Sequence, residues 1–383
     1  MKVAVATHFP KNPGVPRGGV EAVNVNLVKG LAQLPDMEIH VVTLDPTLDT
    51  DLVAQWGEIT VHRLATVQGS VLLNACGAWR HKLQNYLIGM RPDIVHAHDT
   101  YGIMTKGLEL PKVFTIHGFI HGDILLSKEK IAWLRSKIWR IIETRAWADQ
   151  AHIISISPYV RERLSGIAKG GIHDIDNPVA EECFRIHRAE QTGTIFSAAV
   201  ISPRKNTLTL VKAFARIANE FPRASLRLAG TVVNAEYYRL VEEYIQRKNL
   251  TGRVHFLGNV AASQILDELA AASIFALVSL EENSPMGIEE AMAAGIPVVT
   301  SNRCGMPYMV QHGVSGHLVD PQQPGNIAER LRQLLADDTL RDSMGSVGRE
   351  IALRRFHPAI VAEKTRRVYL EALGWHFASG REM

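Results

Sequence analysis

The sequence predicts an α/β protein of two domains, each a doubly wound parallel β-sheet. Short runs rich in β-branched residues alternate with longer amphipathic stretches, which is typical of βαβ units. Several of these runs are apolar throughout, as strands are when helices cover both faces of a parallel sheet. The series stops near Gly166 and starts again at Thr194, and a length of 383 residues suits two domains.

The predicted strands form two series. The first series comprises residues 2–7, 38–43, 93–97, 112–116 and 152–156. The second series comprises residues 194–200, 225–230, 253–257, 274–278, 297–300 and 317–319. Helical patterns lie between the strands, and residues 208–221 and 358–373 carry two of them.

Residues 166–194 form the predicted linker, because a Gly-Gly pair, an Asn-Pro pair and weak periodicity all favour irregular structure there. We therefore assign residues 1–176 to a first domain and residues 177–357 to a second. The sequence leaves two packings open for the last segment, residues 358–383: it packs either on the second domain or back on the first. Open α/β sheets bind ligands beyond the carboxyl ends of their strands, so the site is expected in a cleft shared by the two domains.

Composition excludes several classes of protein. Hydrophobic residues make up 46% and charged residues 21%, as in ordinary globular proteins and unlike disordered or fibrous ones. A net charge of +3 is too small for a dedicated nucleic-acid surface, so no nucleic-acid partner is expected. Cys76, Cys183 and Cys304 form no C-x-x-C pair, which favours reduced thiols. The apolar run at the N-terminus breaks at His8 and no run is long enough to span a membrane, so we expect a cytoplasmic protein.

The segment 279–300 is the most informative one. Ser284 is a good N-cap, Pro285 suits the first helical position, and Gly295 marks the end of the predicted helix. The helix would follow a strand and precede another. Its first free backbone amides, on Met286 and Gly287, are therefore expected to form an anion site for phosphate.

Two carboxylates flank this expected anion site. Glu282 lies just before the helix, and Glu290 lies within it, eight positions later. A carboxylate can accept hydrogen bonds from both hydroxyls of a vicinal diol, so these two residues suit sugar and ribose hydroxyls. The alternative is a capped helix with solvated acids, and the spacing alone leaves both interpretations open.

The Glu282-x7-Glu290 pattern, followed by Ala-Met-Ala-Ala-Gly, resembles the donor-site motif of the retaining GT-B glycosyltransferases of family 4. Other segments resemble that family over residues 1 to about 370. Gly18-Gly19 resembles its glycine-rich loop near the donor diphosphate, and Phe114-Thr-Ile-His-Gly resembles the strand end that bears its active-site histidine. Residues 196–206 resemble the stretch whose basic side chains hold the diphosphate.

The resemblance implies the GT-B architecture and transfer of a sugar from a nucleotide diphosphate sugar to an acceptor hydroxyl, with retention of anomeric configuration. The acceptor is expected to be a saccharide or a lipid-linked saccharide. His117, Lys205 and Glu282 are the implied catalytic residues. The implied donor-binding residues are Gly18, Gly19, Arg204, Lys205, Ser284, Met286, Gly287 and Glu290.

Three positions depart from the family pattern. Val200 stands where the first basic residue is usual, and Arg204 is expected to replace it. Pro285 removes one amide from the expected phosphate site. Ala180 stands where an aspartate is common after the Asn-Pro pair.

No metal or other cofactor is expected. Residues 49–51 and 174–176 both spell Asp-x-Asp, which other glycosyltransferases use to hold a divalent ion, but we interpret both as turn or capping acids. His96 and His98 are expected to be core or supporting histidines rather than zinc ligands.

Residues 127–147 carry six basic and two acidic side chains, a local charge of +4. Two interpretations stay open for them: a helix packed on the sheet with a solvated basic face, or a helix resting on an anionic membrane at the inner face. The second would favour a lipid-linked acceptor. The apolar stripe of this segment comprises Ile131, Leu134, Ile138, Ile141 and Ile142, with Trp133 and Trp139 beside it.

Two rival functions stay open. A nucleotide-sugar epimerase or hydrolase could share the same architecture, although the spacing of Glu282 and Glu290 favours transfer. A non-catalytic nucleotide-binding scaffold is kept open by Val200 and Ala180. A dinucleotide dehydrogenase is disfavoured because no Gly-x-Gly-x-x-Gly opens the first predicted helix.

Overall fold

The computed structural model describes residues 1–126 and 131–374, which divide into two compact units. The first unit contains residues 1–178 and the helix that begins at Pro358, and the second contains Val179–His357. Each unit is built on its own largely parallel sheet, so the predicted pair of α/β domains is confirmed.

The described residues of the first unit form an eight-stranded sheet in the order β3-β4-β2-β1-β5-β6-β7-β8. Its strands are β1 (Lys2–Ala6), β2 (Glu38–Asp45), β3 (Leu52–Trp56), β4 (Ile59–Ala65), β5 (Ile94–His98), β6 (Lys112–Ile116), β7 (His152–Ser155) and β8 (Gly171–Asp174). Neighbouring strands are parallel except β3 and β4. The chain runs outward from β1 in one direction and from β5 in the other. The topological switch point, where open α/β sheets bind ligands, therefore lies between β1 and β5.

The helices of the first unit cover both faces of this sheet. They are α1 (Gly19–Ala32), α2 (Val71–Cys76), α3 (Ala78–Met90), α4 (Thr100–Met104), α5 (Ile120–Leu126), α6 (Ala132–Ala148) and α7 (Pro158–Leu164). The central strand β1 alternates between two separate cores, with Val3 and Val5 in one and Ala4 and Ala6 in the other. This two-sided burial explains why the strand reads as a continuous apolar run.

The described residues of the second unit form a six-stranded sheet in the order β11-β10-β9-β12-β13-β14, parallel throughout. Its strands are β9 (Thr194–Ala198), β10 (Ser225–Ala229), β11 (Val254–Gly258), β12 (Ile274–Leu277), β13 (Val298–Ser301) and β14 (Gly316–Val319). Its helices are α8 (Glu181–Phe184), α9 (Thr207–Ile217), α10 (Ala235–Arg247), α11 (Ala262–Ala271), α12 (Met286–Ala293), α13 (Pro324–Ala336) and α14 (Asp338–Arg355). The switch point of this sheet lies between β9 and β12.

The final helix, α15 (Pro358–Ala372), belongs to the first unit. It packs against α1 and buries Val361, Val368 and Tyr369 in the core that contains β1. The Tyr369 hydroxyl lies 2.6 Å from Nδ1 of the buried His96 on β5. The chain thus returns to its first unit, while residues 375–383 of the predicted segment 358–383 lie outside the described residues.

The predicted linker is wrong in part. Residues 171–174 form β8, whose Ile172 pairs in register with Ile153 of β7. The sequence analysis also missed β3 and β4. β3 and β8 are edge strands that are exposed at four of five and two of four residues, so they lack the two-sided burial that marks the central strands.

No helix within residues 1–126 and 131–374 combines the length and the apolar character that crossing a bilayer requires.

Gly30 sets how closely α1 and α15 approach each other. A Cβ at this position would lie 2.8 Å from the Pro358 carbonyl oxygen and 3.2 Å from the Ala362 Cβ. We predict that Gly30→Ala lowers the free energy of unfolding by about 1–3 kcal/mol, because the helices must separate. Urea denaturation measures this, with Gly89→Ala as control, since a Cβ there meets nothing within 4 Å. Equal stability of the two variants would contradict the prediction.

Candidate functional site

The second unit brings three of the predicted residues together at its switch point. Arg204 and Lys205 follow β9, and Glu282 follows the neighbouring strand β12. The Arg204 guanidinium lies 3.2 Å from Glu282 Oε1, and the Lys205 ammonium contacts the same oxygen. Glu282 is buried and Lys205 is mostly buried, so the charges interact in a medium less polarisable than water. The result is an ion cluster with one net positive charge.

Asn206 fixes the loop after β9, which carries Arg204 and Lys205. Its side-chain amide donates to the carbonyl oxygens of Val278, at 3.1 Å, and Pro321, at 2.6 Å. Its backbone takes the left-handed conformation, with φ +59°, which asparagine tolerates better than most residues. The Leu280 amide donates back to the Arg204 carbonyl at 2.8 Å. The loops after β9 and β12 are therefore fastened to each other, and this fixes the cluster.

The helix predicted after Glu282 is present as α12, but its start differs from the prediction. Pro285, not Ser284, is the N-cap residue. The Ser284 hydroxyl instead donates to the Glu289 carboxylate at 2.6 Å. Glu289 is fully buried, and a buried carboxylate needs hydrogen bonds more than a helix end does. The predicted end is confirmed, because Gly295 adopts φ +73° just after the last helical turn.

The N-terminus of α12 rests directly on the strand ends. A Cβ on Gly287 would lie 2.9 Å from the Phe275 ring and 3.3 Å from the Ala198 carbonyl oxygen. Only glycine therefore allows this close approach. Met286, the first helical residue, is buried beside it. The helix thus directs its N-terminal amides toward the carboxyl ends of β9 and β12, an arrangement suited to an anion.

Glu290 lies on the side of α12 that faces α8. Its charge acts on the buried Cys183 of α8, whose thiol pKa is raised by burial first and by Glu290 second. Burial also raises the pKa of Glu290 itself, to about 7. Burial is the cause of this shift, and no basic side chain of the described residues offsets it.

The segment that carries Glu282 depends on Gly305. The Gly305 amide donates to the Glu282 carbonyl at 2.8 Å. A Cβ at position 305 would lie 1.7 Å from the carbonyl oxygen of Asn283, a distance that no real contact allows. The chain after β13 and the chain after β12 can therefore pack here only without a side chain.

We predict that Gly305→Ala displaces the Glu282 segment while the protein stays folded, and that it weakens at least tenfold the binding of a nucleoside diphosphate, the ligand that the sequence analysis expects at this site. Calorimetric titration with a nucleoside diphosphate measures the affinity, and circular dichroism checks the fold. Gly313→Ala is unsuitable as control because of its φ of +77°, so Gly89→Ala serves again. Unchanged affinity in Gly305→Ala would contradict the assignment of Glu282 to the site.

The raised pKa of Glu290 predicts a specific pH dependence. The folded-state pKa is about 7 and the ordinary pKa of a glutamate is 4.5, so between these values the folded protein holds a proton that the unfolded chain releases. Stability attributable to this group therefore falls as pH rises from about 4.5 to 7. We predict that Glu290→Gln stabilises the protein at pH 8 by up to about 3 kcal/mol and has little effect at pH 4.5.

Thermal unfolding at the two pH values tests this prediction. The exposed Glu350 of α14 provides the control, because its side chain is 65% exposed and a Glu350→Gln change removes no buried charge. A Glu290→Gln variant that behaves like Glu350→Gln at both pH values would contradict the raised pKa of Glu290.

The first unit places the predicted glycine loop at its own switch point. Gly18 precedes α1 and Gly19 is the first residue of the helix, and both are exposed. A Cβ on Gly18 would meet nothing within 4 Å, so the approach to the backbone is open. The Glu21 carboxylate accepts a hydrogen bond from the Arg17 amide at 2.7 Å and closes the turn.

His117 follows β6 and is held on several sides. Its backbone amide donates to Asp99 Oδ1 at 2.8 Å, and its ring nitrogen Nε2 lies 2.9 Å from Nδ1 of His98. Asn177 hydrogen-bonds its side chain. Burial lowers the pKa of both His98 and His117, so the two rings are neutral imidazoles of which one donates and the other accepts. His98 thus supports His117, as the sequence analysis expected.

Asp99 carries backbone strain at this point. It has φ +46° and ψ −118°, a combination that an aspartate rarely adopts. Hydrogen bonds to both of its backbone groups keep it there, since its amide donates to Thr115 and its carbonyl accepts from Gly102. Strained residues of this kind cluster at functional sites, where the surrounding structure fixes them.

Helix α6 places its apolar stripe on the surface. Its buried side consists of Ala132, Ser136, Trp139, Glu143, Ala146 and Trp147. By contrast, the side chains at Ile131, Trp133, Leu134, Ile138 and Ile141 are 57%, 57%, 44%, 39% and 51% exposed. The helix does pack on the first unit, but through Trp139, Ala146 and Trp147 rather than through this stripe, of which Ile142 contacts a small core cluster. Residues 127–130 of the predicted segment lie outside the described residues.

Both Asp-x-Asp patterns have local partners. Asp51 accepts from the Ala65 amide at 2.8 Å and pairs with Lys82 at 2.7 Å. Asp174 pairs with Arg161 at 2.8 Å. Contacts of this kind are typical of acidic residues in loops and on edge strands.

Two family models match the chain. Residues 179–351 match the family "Glycosyl transferases group 1", and residues 17–182 match "Glycosyltransferase Family 4". The chain belongs to the group 1 glycosyltransferases. The matches meet near the boundary between the two units, so each unit of this glycosyltransferase corresponds to one family model.

Individual relatives agree with this assignment. An uncharacterized glycosyltransferase from Methanocaldococcus jannaschii is 23% identical over 364 residues, which cover 92% of this chain and 95% of that protein. A GDP-mannose-dependent alpha-(1-6)-phosphatidylinositol monomannoside mannosyltransferase from Mycobacterium tuberculosis is 29% identical over 182 residues, 46% of each chain.

Solved structures show the same fold. Sucrose-phosphate synthase from Thermosynechococcus elongatus aligns with a TM-score of 0.80 and 20% identity over 97% of this chain and 99% of that one. Anabaena HepE in complex with UDP-glucose aligns with a TM-score of 0.72 and 18% identity over 97% and 100% of the two chains. The predicted GT-B architecture is therefore confirmed.

Several supporting residues escaped the sequence analysis. Asn206, Asp99 and Gly305 act through contacts with residues distant in sequence, which no local motif reveals. An asparagine directly after a basic pair at a strand end was the one available signal for a left-handed turn.

Proposed function

We propose that this glycosyltransferase moves a hexosyl group from a nucleotide diphosphate sugar to an acceptor hydroxyl, with retention of anomeric configuration and without a metal ion. The observation that carries the proposal is the cluster of Arg204, Lys205 and Glu282 at the switch point of the second unit. It combines two cations for a diphosphate with one carboxylate for sugar hydroxyls. The HepE structure, which contains UDP-glucose, supports a nucleotide sugar as donor.

The two cations suit the leaving diphosphate. When the bond between the anomeric carbon and the diphosphate oxygen breaks, negative charge builds up on that oxygen. Arg204 offers a planar fork to phosphate oxygens and Lys205 offers a compact charge. Fixed charges aimed at developing charge are usually the largest contribution to catalysis. These cations can supply the neutralisation that other enzymes obtain from a divalent ion, which is why we propose metal-independent transfer.

The carboxylate and the histidine suit the sugar. Both cations contact Oε1 of Glu282, so Oε2 can accept hydrogen bonds from sugar hydroxyls. Neutral His117 can donate to or accept from another hydroxyl of the donor sugar. Glu290 is proposed to hold the ribose diol, and Gly18-Gly19 to offer amides to phosphate. These roles would orient the anomeric carbon toward the acceptor.

The proposed step needs no nucleophile from the protein. The acceptor oxygen forms a bond to the anomeric carbon on the face that the diphosphate leaves. The acceptor proton passes to the departing phosphate oxygen. Attack and departure on the same face give retention.

We predict that Lys205→Ala lowers kcat about a hundredfold or more, because one cation facing the leaving group is lost. Thermal shift with UDP, GDP and ADP first selects the nucleotide, since binding raises apparent stability. Radiolabelled transfer from the matching sugar nucleotide then measures the rate. Lys248→Ala is the control, because Lys248 is exposed at the end of α10.

An unchanged rate in Lys205→Ala would remove the cluster from the site. Donor hydrolysis without acceptor at the rate measured with acceptor would instead favour a nucleotide-sugar hydrolase.

We further propose that the acceptor is lipid-linked and that α6 rests on an anionic membrane surface. The exposed side of α6 combines its apolar stripe with basic residues. Glu143 does not reduce this charge at the surface, because it is buried and bonded to the Ile120 and His121 amides. Each basic residue near such a membrane contributes about 1 kcal/mol of attraction. The exposed basic residues of α6 are Arg135, Lys137, Arg140 and Arg145.

We predict that the protein co-sediments with liposomes that contain anionic phospholipid, and that the double change Ile138→Glu and Ile141→Glu reduces binding at least tenfold. Both changes place charge on the exposed stripe without entering the core. Leu353→Glu is the control, because Leu353 is 42% exposed on α14 of the second unit. No binding of the unchanged protein to anionic liposomes would end the membrane proposal.

A further inference from the structure

Three potential metal ligands meet at the outer strands of the first sheet, away from the residues assigned to glycosyl transfer. His152 begins β7, His173 lies on β8, and Glu371 lies near the end of α15. His152 Nδ1 is 3.3 Å from His173 Nε2 and 3.8 Å from Glu371 Oε1. One ligand atom from each residue lies within 4.8 Å of the other two.

The pairing of β7 with β8 and the packing of α15 bring these three residues together. His173 pairs with Ile154, and His152 lies two positions before Ile154, so both imidazoles project from the same face of the sheet. The helix α15 covers that face, because Ile154 shares a core with Val368 and Tyr369. The last turn of α15 therefore carries Glu371 over the two histidines. The two rings stack with centroids 5.5 Å apart and an angle of 22° between their planes.

The distances fit a metal ion better than a salt bridge. Two nitrogens bound to one tetrahedral zinc ion at about 2.0–2.1 Å are about 3.4 Å apart, close to the separation of the imidazole nitrogens. Glu371 Oε1 lies 3.8 Å from His152 Nδ1, and Glu371 Oε2 lies 4.0 Å from His173 Nδ1, so both distances are too long for direct hydrogen bonds. A central ion would satisfy all three groups at once.

Arg161, the basic neighbour of this cluster, is engaged elsewhere. It bonds the Asp174 carboxylate and the Ile172 carbonyl. Among the described residues, no lysine or arginine pairs with the Glu371 carboxylate.

We propose that His152, His173 and Glu371 bind a zinc ion, with water as the fourth ligand. The site joins β7 and β8 to the end of α15. Its role is structural: the ion holds the returning helix against the edge of the first sheet. It is separate from the proposed transfer step, which uses no metal.

A second histidine pair in the same sheet provides the control. His40 Nδ1 lies 2.9 Å from His62 Nε2, so this pair resembles the first. Glu38, however, contacts the opposite nitrogen of His40, Nε2, at 2.7 Å. Glu38 is thus already bonded to His40, and among the described residues these three side chains do not form a group whose ligand atoms all lie within 4.8 Å of one another. Glu38→Gln and Glu371→Gln are thus matched changes beside similar histidine pairs, and only the second is expected to affect zinc.

Calorimetric titration of zinc into the full-length protein, after treatment with a chelator, tests the proposal. We expect one equivalent to bind, with affinity at least tenfold weaker in Glu371→Gln, lost in His173→Ala and unchanged in Glu38→Gln. Zinc should also raise the melting temperature of the unchanged protein and not that of His173→Ala. Equal stoichiometry and affinity in the unchanged protein and His173→Ala would overturn the proposal, as would the absence of saturable binding.

Discussion

The ion cluster of Glu282 with Arg204 and Lys205 is the interaction on which the functional account depends. Two cations side by side repel each other, and removing them from water is costly. A carboxylate between the two cations reduces both their repulsion and the cost of removing them from water, and the cluster still carries one net positive charge. In the function we propose, the cluster is therefore prepared for a diphosphate before the donor binds. A site of this kind loses little energy to reorganisation during the reaction.

Both units place their polar groups at the same kind of position in the sheet. Both sheets change direction at one pair of strands, and the polar groups follow the carboxyl ends of those strands or their neighbours. At each place one residue adopts an unusual backbone conformation, Asp99 in the first unit and Asn206 in the second. Each is fastened by hydrogen bonds to neighbouring chain segments. The regular sheets thus provide rigidity, and in each unit a residue with an unusual backbone conformation helps to fix the functional groups.

Much of the fold could be predicted from the sequence. Central strands such as β1 and β12 are buried on both faces, and the requirement for burial appears as an apolar run. Edge strands β3 and β8 have no such requirement, and they were missed. The stripe on α6 shows the limit of periodicity: a helical pattern identifies an apolar side but not whether protein or another apolar surface covers it.

Some residues of the candidate site could likewise be predicted from the sequence, and others could not. Glu282, Lys205 and His117 could be found because they stand at fixed positions beside strand ends. Ser284 was assigned to the wrong partner because the buried Glu289, five residues later, competes for its hydroxyl. The roles of Gly305 and Asp99 depend on which chain segments the fold brings together, and this information is not local.

The most direct measurement is a crystal structure of this glycosyltransferase with the nucleoside diphosphate that binds it. The account predicts diphosphate oxygens within hydrogen-bond distance of the Lys205 ammonium and the Arg204 guanidinium. A diphosphate bound elsewhere, with both cations still held by Glu282 alone, would contradict it.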